Sequence, residues 1–348
     1  MGVNEVRRVI QWATGSMGRT AMRMVVDRPE LALVGALVYS NKKVGVDLGE
    51  MIHRPSLGVA ATRDRDEIFA LDADVVIHMP RITLPYDALV PDVVRLLESG
   101  KNVISTAGFH WPQAHGDAYA DRLRDAAIKG GVTLAGVGVN PGLVAERLLL
   151  SATAMSVEID ELRLFETVDA SAMASGAFVF DLMGLGSDPE IRDIRDGPLA
   201  KLYGALFSEV LYFCAHHLGS RIESIEPQHE LTLAPHDITL IPGTITKGTV
   251  AATEWNWRAM LENGTVLVLS IIWTADPSLH DSDKQGHWTL KIVGRPNITM
   301  TLDISEADPT KPPSRALTDA VCAVAINAIP AVCAAPPGLF AFDPIGLA

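Results

Sequence analysis

Cysteine is scarce in this chain of 348 residues, and aromatic residues are also few. The three cysteines, Cys214, Cys322 and Cys333, are odd in number and widely spaced. They form no CxxC pair and no Cys/His ligand pattern, so the sequence supports neither a disulfide framework nor a zinc site, and we predict no metal. Phe, Trp and Tyr together make up 6% of the chain, so its core must consist mainly of aliphatic residues.

Positive charge and long apolar runs are lacking as well. The chain has 29 Lys and Arg against 42 Asp and Glu, which gives a formal net charge of −13. We predict no nucleic-acid partner, because neutralising phosphates needs clustered basic residues, but one local basic pocket for a small anion remains compatible with this balance. The longest apolar stretch, 316–342, is interrupted by Asp319, Asn327 and Pro330, and the N-terminus shows no signal-peptide pattern. We therefore expect a cytoplasmic protein without a membrane partner.

Apolar strand-like runs alternate with helical patterns over the first 140 residues. The runs are RRVIQWA (7–13), LALVGALVY (31–39), DADVVIHM (72–79), KNVIST (101–106) and VTLAGVG (132–138). Strands that alternate with helices in this way indicate a parallel sheet with right-handed crossovers. The sequence therefore predicts an α/β fold for its N-terminal part.

The pattern changes after about residue 150. Three long strands, at 243–261, 265–275 and 288–294, are separated by turn signals that include Asn263-Gly264, which predicts antiparallel ribbons. The final helical pattern continues to about Ile329, and we expect it to pack back on the first domain. We predict a domain at 1–147, a second domain at 148–311, to which the family resemblance of the motifs adds a role in substrate binding and dimerisation, and a C-terminal segment at 312–348 that returns to the first.

A glycine-rich turn follows the first predicted strand. The stretch Ala13-Thr14-Gly15-Ser16-Met17-Gly18 matches G-x-G-x-x-G with alanine in the first place. After a strand and at the start of a helix, such a turn places a dinucleotide pyrophosphate on free N–H groups at the helix N-terminus. The alternative is a packing turn without a ligand.

The end of the second strand decides between the two nicotinamide dinucleotides. NAD-specific sites usually have a carboxylate there, which accepts a hydrogen bond from the ribose 2′-OH. This chain instead has Tyr39, Ser40, Asn41, Lys42 and Lys43. Hydroxyl, amide and ammonium groups complement a 2′-phosphate, so NADP is favoured and NAD is the alternative, unless the lysines are only solvated surface residues.

Several motifs resemble a known family. GSMGR (15–19) is similar to the nucleotide loop of dihydrodipicolinate reductases. YSNKKVGVDLGEM, SGKNVIST, GVGVNPG and NAIPAVCAAPPGL resemble the 2,4-diaminopentanoate dehydrogenases and native amine dehydrogenases. The resemblance implies a Rossmann-type parallel sheet with an inserted α+β domain built on a largely antiparallel open-faced sheet. It also implies a homodimer and hydride transfer between NAD(P)H and a small carbonyl or imine/amine substrate.

The same resemblance implies positions for the cofactor. They are Thr14, Gly15, Ser16, Met17, Gly18 and Arg19 for the phosphates, Ser40, Asn41 and Lys42 for the ribose phosphate, and Met79, Pro80, Thr106, Ala107 and Asn140 for the nicotinamide. Asn140, in NPG, is expected to follow the sixth strand, at the carboxyl edge of the sheet where ligands gather.

One departure from the family concerns the substrate. Amine-forming members carry a glutamate where this chain has Gly108, and a cationic iminium needs such a counter-charge. Either the substrate is neutral, with His110 as a candidate proton donor, or Glu166 or Asp169 supplies the charge for amine chemistry. A third hypothesis is an NADP-binding sensor without turnover.

Overall fold

The chain folds into two compact units in the computed structural model, which describes residues 6–281 and 287–345. The first unit comprises Met1–Leu143 and Thr318–Phe342, and the second comprises Val144–Leu317 and Asp343–Ala348. The first boundary therefore lies four residues before the predicted one. The C-terminal return to the first unit is shorter than predicted, because the chain from Asp343 onward belongs to the second unit.

The first unit is built on a six-stranded parallel sheet. Its strands are β1 (Arg7–Trp12), β2 (Leu31–Leu37), β3 (Val75–His78), β4 (Asn102–Ser105), β5 (Thr133–Gly136) and β15 (Gly338–Phe340). The spatial order is β15-β5-β4-β3-β1-β2, and every neighbouring pair is parallel. The order reverses at β1, and the loops at its carboxyl end border the crevice in which such sheets bind ligands. The predicted parallel sheet is confirmed.

Helices cover both faces of this sheet. They are α1 (Ser16–Val26), α2 (Leu48–Met51), α3 (Arg65–Ala70), α4 (Val90–Glu98), α5 (Asp117–Gly130) and α8 (Ser314–Ala334). On one face, Met22 and Val25 of α1 pack in the same core as Ile326 of α8. On the other face, Val93 of α4 and Leu123 of α5 lie in a second core. Burial on both faces accounts for the near-continuous apolar runs of β1 and β2.

The helix α8 is longer than predicted, because it continues through Pro330 to Ala334. Proline removes one backbone N–H, but its fixed φ is close to the helical value, so a well-packed helix can pass through it. Ile329 and Val332 lie fully inside the first unit's core on either side of Pro330. By length and composition alone, α8 could also cross a membrane.

A seven-stranded, mostly antiparallel sheet forms the second unit. Its strands are β6 (Glu158–Asp169), β7 (Ile222–Pro227), β8 (Glu230–Leu233), β11 (Val250–Leu261), β12 (Val266–Thr274), β13 (Trp288–Arg295) and β14 (Ile298–Leu302), while β9 (Ile238–Leu240) and β10 (Gly243–Ile245) pair separately. The order is β14-β13-β6-β12-β11-β7, with β8 also paired to β11. The predicted Asn263-Gly264 turn joins β11 and β12, and β6 and β12 form a parallel pair.

The second unit also contains helical segments. They include α6 (Leu150–Ala152), α7 (Pro198–His217), the π-helical turns Val144–Leu149 and Ala177–Leu182, and the 3-10 turns Thr153–Met155 and Pro277–Leu279. On α7, Phe207 contacts Trp257 of β11, with ring centroids 5.1 Å apart. Aromatic contacts of this kind attach the long helix to the sheet.

Candidate active site

The glycine-rich turn opens α1 as the sequence predicts. Gly15 immediately precedes the helix and is exposed, as is Ser16, and no side chain caps this N-terminus. A Cβ on Gly15 would meet no atom within 4 Å. The first N–H groups of α1 therefore face open space, where they can bind a phosphate.

Gly18 has a different role in the turn. A Cβ at this position would lie 2.1 Å from the carbonyl oxygen of Ala13, so only glycine lets α1 approach the turn this closely. The buried Gln11 side chain fixes the same carbonyl by a hydrogen bond: its Nε2 donates to the carbonyl oxygens of Ala13 at 3.0 Å and Trp12 at 3.3 Å. The shape of the turn is thus fixed by packing before any ligand binds.

Ala13 occupies the left-handed region with φ +74°. Glycine is the first residue of the G-x-G-x-x-G motif and adopts this conformation without strain, whereas alanine pays about 1 kcal/mol for it. We therefore expect Ala13→Gly to raise the free energy of unfolding by about 1 kcal/mol. Urea unfolding measures this change, and a loss of stability would show that the Ala13 methyl, which is buried, contributes more by packing than its φ angle costs.

Two cations flank the turn. The Nζ of Lys43 donates to the Thr14 carbonyl oxygen at 2.6 Å and lies 3.2 Å from its Oγ1. Burial, and then the nearby charge of Arg19, lower the pKa of Lys43. The Nε of Arg19 is buried and has no hydrogen-bond partner among the residues described. Two like charges and an unused donor at the start of a helix fit a bound anion.

The predicted ribose-phosphate residues Ser40, Asn41 and Lys42 are exposed at the end of β2. A further residue, Arg63, lies beside them although the sequence did not indicate it as a site residue. Its guanidinium donates a hydrogen bond to Oδ1 of Asn41. The lysine that reaches the turn is Lys43, which the sequence placed in the same segment. The end of β2 therefore carries cations from two separate parts of the chain.

Asp47 explains how Arg63 reaches this position. Its carboxylate accepts hydrogen bonds from the backbone N–H groups of Gly49, Glu50, Leu57 and Val59 and from the Ser56 hydroxyl. Desolvation opposes the charged form, but the hydrogen bonds outweigh it and lower the pKa of Asp47 to about 2. The folded-back segment then runs beside β2, where Val38 N–H donates to Thr62 O at 2.8 Å. Arg63 comes next and lies 22 positions after Asn41, a separation that no local sequence pattern could bridge.

The strands β3 and β4 end at the predicted nicotinamide positions. Met79 N–H donates to Trp12 O, and Thr106 N–H donates to His78 O, both at 3.0 Å. These bonds bring the residues after β3 and β4, including Pro80 and Ala107, to the same edge of the sheet as the phosphate turn. Asn140 lies after β5, the fifth strand in the chain rather than the sixth, again at this edge.

A buried pair of side chains supports this edge. His78 is fully buried, and its Nδ1 lies 3.0 Å from Oγ of Ser105, which accepts from Ala107 N–H at 3.1 Å. Burial lowers the pKa of His78 to about 3. The neutral imidazole therefore links the ends of two strands directly below the nicotinamide positions.

The loop after β4 turns sharply at Gly108 and Phe109, with φ values of +95° and +68°. A Cβ on Gly108 would lie 2.5 Å from Oη of Tyr86. His110 follows and is 5% exposed, and its Cε1 lies 3.8 Å from where a Cβ on Gly138 would be. The hydroxyl of Tyr86 thus stands over the glycine, while His110 is held against the loop after β5.

Glu166 and Asp169 lie on β6 in the second unit, as predicted for its first strand. Glu166 is buried, faces Trp288 across the antiparallel pair, and accepts a 3.1 Å hydrogen bond from its Nε1. Asp169 is exposed and accepts from Ser171 N–H at 2.8 Å. Each carboxylate has a local structural partner, so a catalytic role for either stays a prediction.

Two other features do not coincide with the predicted site. A cavity of 610 Å³ in the second unit is lined by residues that include Arg195, Lys201, His229 and Trp257, and it contains none of the predicted site residues. Within 6–281 and 287–345, no group of three or more His, Cys, Asp or Glu side chains is arranged to hold a metal.

Comparison with known proteins shows that the chain is similar to dehydrogenases and reductases. Residues 6–120, from β1 to α5, match the family described as dihydrodipicolinate reductase, N-terminus. An amine dehydrogenase of Streptomyces virginiae is 26% identical over 308 residues, which cover 85% of each chain. A 2,4-diaminopentanoate dehydrogenase of Acetoanaerobium sticklandii is 27% identical over 232 residues, 63% of this chain and 64% of that protein.

A solved structure shows the same fold over almost the whole length. The amine dehydrogenase from Mycobacterium smegmatis matches with a TM-score of 0.77 and 20% identity, covering 96% of this chain and 94% of that chain. Both units are therefore included in the structural match.

Proposed function

The chain is an NAD(P)-dependent oxidoreductase related to the dihydrodipicolinate reductases and the amine dehydrogenases, and from this premise we propose that it uses NADP(H) to act on a small, neutral carbonyl substrate. The observation that carries the proposal is the set of cations around the end of β2 and the phosphate turn, Arg19, Lys43 and Arg63. When bound, the nicotinamide supplies or accepts the hydride. The chain's own residues bind the dinucleotide, orient the substrate and handle the proton.

The residues at the turn fit the dinucleotide. The pyrophosphate is assigned to the N–H groups that follow Gly15, with Arg19 and Lys43 beside it. The 2′-phosphate is assigned to Ser40, Asn41 and Arg63 at the end of β2. A dianion there would be neutralised by Arg63, whereas a 2′-hydroxyl would leave Arg63 without a charged partner in this pocket, so NADP is favoured over NAD.

The substrate assignment follows from the loop after β4. From Thr106 to His115 the chain contains no carboxylate, so an iminium ion at this edge would find no counter-charge on the loop. A ketone or aldehyde is neutral and needs only a hydrogen-bond donor for its oxygen. Positioning the acceptor carbon against the nicotinamide would then supply most of the rate enhancement.

Amine chemistry is the second candidate, because the Streptomyces virginiae relative, which covers 85% of this chain, is an amine dehydrogenase. Glu166 would then have to supply the counter-charge, in addition to accepting from Trp288. Initial rates with NADPH separate the two candidates. Turnover of a ketone alone supports carbonyl reduction, and turnover only when ammonia is added supports the amine reaction.

Arg63 should discriminate between the two dinucleotides. A charge-assisted hydrogen bond to the 2′-phosphate is worth about 1.5–3 kcal/mol, so Arg63→Gln should weaken NADPH binding about 10- to 100-fold and leave NADH binding within about twofold. Fluorescence titration of the reduced cofactors measures both affinities. Lys129→Gln is the control, because it removes an exposed basic residue on α5 that pairs with Glu98. Equal weakening of NADPH and NADH, or tighter NADH binding by the unaltered protein, would contradict NADP specificity.

We propose that the chain is cytoplasmic and that it forms the homodimer that the resemblance implies. Size-exclusion chromatography with light scattering tests the proposal, and a mass of one chain, 37.3 kDa, would contradict the dimer.

A further inference from the structure

We propose that the phenolic hydroxyl of Tyr86 is the proton donor to the substrate oxygen, a role that rests on the proposed carbonyl reduction. The sequence motifs did not indicate this residue. Its place in the structure does, because its Oη stands over Gly108 at the carboxyl edge of β4.

Tyr86 reaches the edge from the loop after β3, where it begins the 3-10 turn Tyr86–Leu89 that leads into α4. Gly108 lies on the loop after β4, the neighbouring strand, two residues beyond the predicted nicotinamide position Thr106. A hydroxyl contributed by one loop and directed at the other lies at the edge where the substrate is expected. Tyr86 therefore provides a hydroxyl group at the edge where we expect the reacting carbon.

The backbone at Gly108 makes room for this hydroxyl. A Cβ there would lie 2.5 Å from Oη and 3.2 Å from Cζ of Tyr86, so any side chain at this position would displace the phenol. The next residue, Phe109, is a bulky residue at φ +68°, a strained backbone conformation of the kind that clusters in functional loops. The space beside the Gly108 backbone, where a side chain would begin, is thus occupied by a neutral phenol.

Tilted and edge-on ring contacts orient the phenol. The centroids of Tyr86 and His115 are 4.7 Å apart, and those of His115 and Tyr119 are 4.9 Å apart. Tyr86 itself is half-buried, so it is held by these contacts yet accessible to a small molecule. His110, the donor suggested by the sequence, is more enclosed and lies beside Gly138.

The proposed step balances in atoms and electrons. The carbonyl carbon gains a hydride from the nicotinamide, the C=O π pair moves onto oxygen, and that oxygen takes the proton of Tyr86 Oη. The tyrosinate then regains a proton from water. In the reverse direction the tyrosinate accepts the proton of the alcohol. A neutral O–H donor suits a neutral carbonyl, and positioned acids of this kind typically contribute about 10²–10⁴-fold in rate.

The test compares Tyr86→Phe with Tyr119→Phe. The Tyr86 variant keeps the ring contact with His115, so we expect its affinity for NADPH to be unchanged. Because the proton donor is lost, kcat on a panel of ketones and aldehydes should fall about 100-fold, and the alkaline limb of the pH profile of kcat should disappear. Tyr119→Phe removes a hydroxyl on the other side of His115 and should keep both rate and profile. Gly108→Ala should lower kcat in the unaltered background but far less in Tyr86→Phe, because the clash is with Oη.

A second readout requires no substrate. The ionisation of Tyr86 is measured as the difference in tyrosinate absorbance between the unaltered protein and Tyr86→Phe. NADP⁺ should shift this ionisation to lower pH, because the nicotinamide ring is cationic. Unchanged kcat in Tyr86→Phe would overturn the role of Tyr86 and leave carbonyl reduction intact. If NADPH binds but no carbonyl is reduced, the proposed function fails. In that case a shift of the Tyr86 ionisation on addition of NADP⁺ would still place Tyr86 beside the nicotinamide, and no shift would show that Tyr86 lies elsewhere.

Discussion

Replacing Gly18 by alanine will destabilise the first unit and abolish dinucleotide binding. The added Cβ would lie 2.1 Å from the Ala13 carbonyl oxygen, which is backbone and is already held by Gln11. Neither α1 nor the turn can move without disturbing β1, so we expect a loss of about 2–3 kcal/mol in the free energy of unfolding. Thermal unfolding with and without NADPH measures both effects, and the Tm should fall by several degrees.

Gly15→Ala is the matched control, because its methyl group would meet no protein atom within 4 Å and its backbone, with φ −67°, accepts alanine. This variant should unfold at the same temperature as the unaltered protein. Its methyl would, however, occupy the space in front of the helix N-terminus that the pyrophosphate needs, so the Tm increase with NADPH should be lost. If Gly15→Ala retained that increase, the phosphates would not lie where we assign them.

The sequence predicted the parallel sheet and the phosphate turn because both depend on local patterns. Alternating apolar runs reveal strands buried on both faces, and glycine spacing reveals where a helix must approach a strand closely. The same reasoning ended α8 too early at Ile329, because the packing of Val332 in the core, which lets the helix pass Pro330, involves distant residues.

Two parts of the candidate site, the end of β2 and the loop after β4, were less predictable from the sequence. Arg63 reaches Asn41 only because Asp47 gathers five donors and folds the intervening segment beside β2. Tyr86 and Gly108 come from two different loops, and what links them is a space left by the absence of a side chain. The sequence shows a glycine at position 108, but only the folded chain shows that the Tyr86 hydroxyl lies where a side chain of residue 108 would begin.

His78 should make the protein sensitive to acid. Its pKa is about 3 in the folded chain against an ordinary value of 6.5, because burial disfavours the imidazolium. Between these two pH values the unfolded chain binds more protons than the folded one. The free energy of unfolding therefore rises with pH across this window, and the stability that neutral His78 contributes is lost as the pH falls through it. The contribution of His78 alone is about 2 kcal/mol between pH 7 and pH 5.

Urea unfolding at pH 7 and pH 5 measures this effect when the unaltered protein is compared with His78→Asn. Asparagine can still bond Ser105 but does not titrate, so the variant should lose about 2 kcal/mol less than the unaltered protein on going from pH 7 to pH 5. His53→Asn is the control, because His53 is exposed and its φ of +58° suits asparagine. An equal loss in His78→Asn and the unaltered protein would mean that the imidazole can be protonated where it lies. The link between β3 and β4 below the nicotinamide positions would then persist in acid, because a charged His78 could still donate to Ser105.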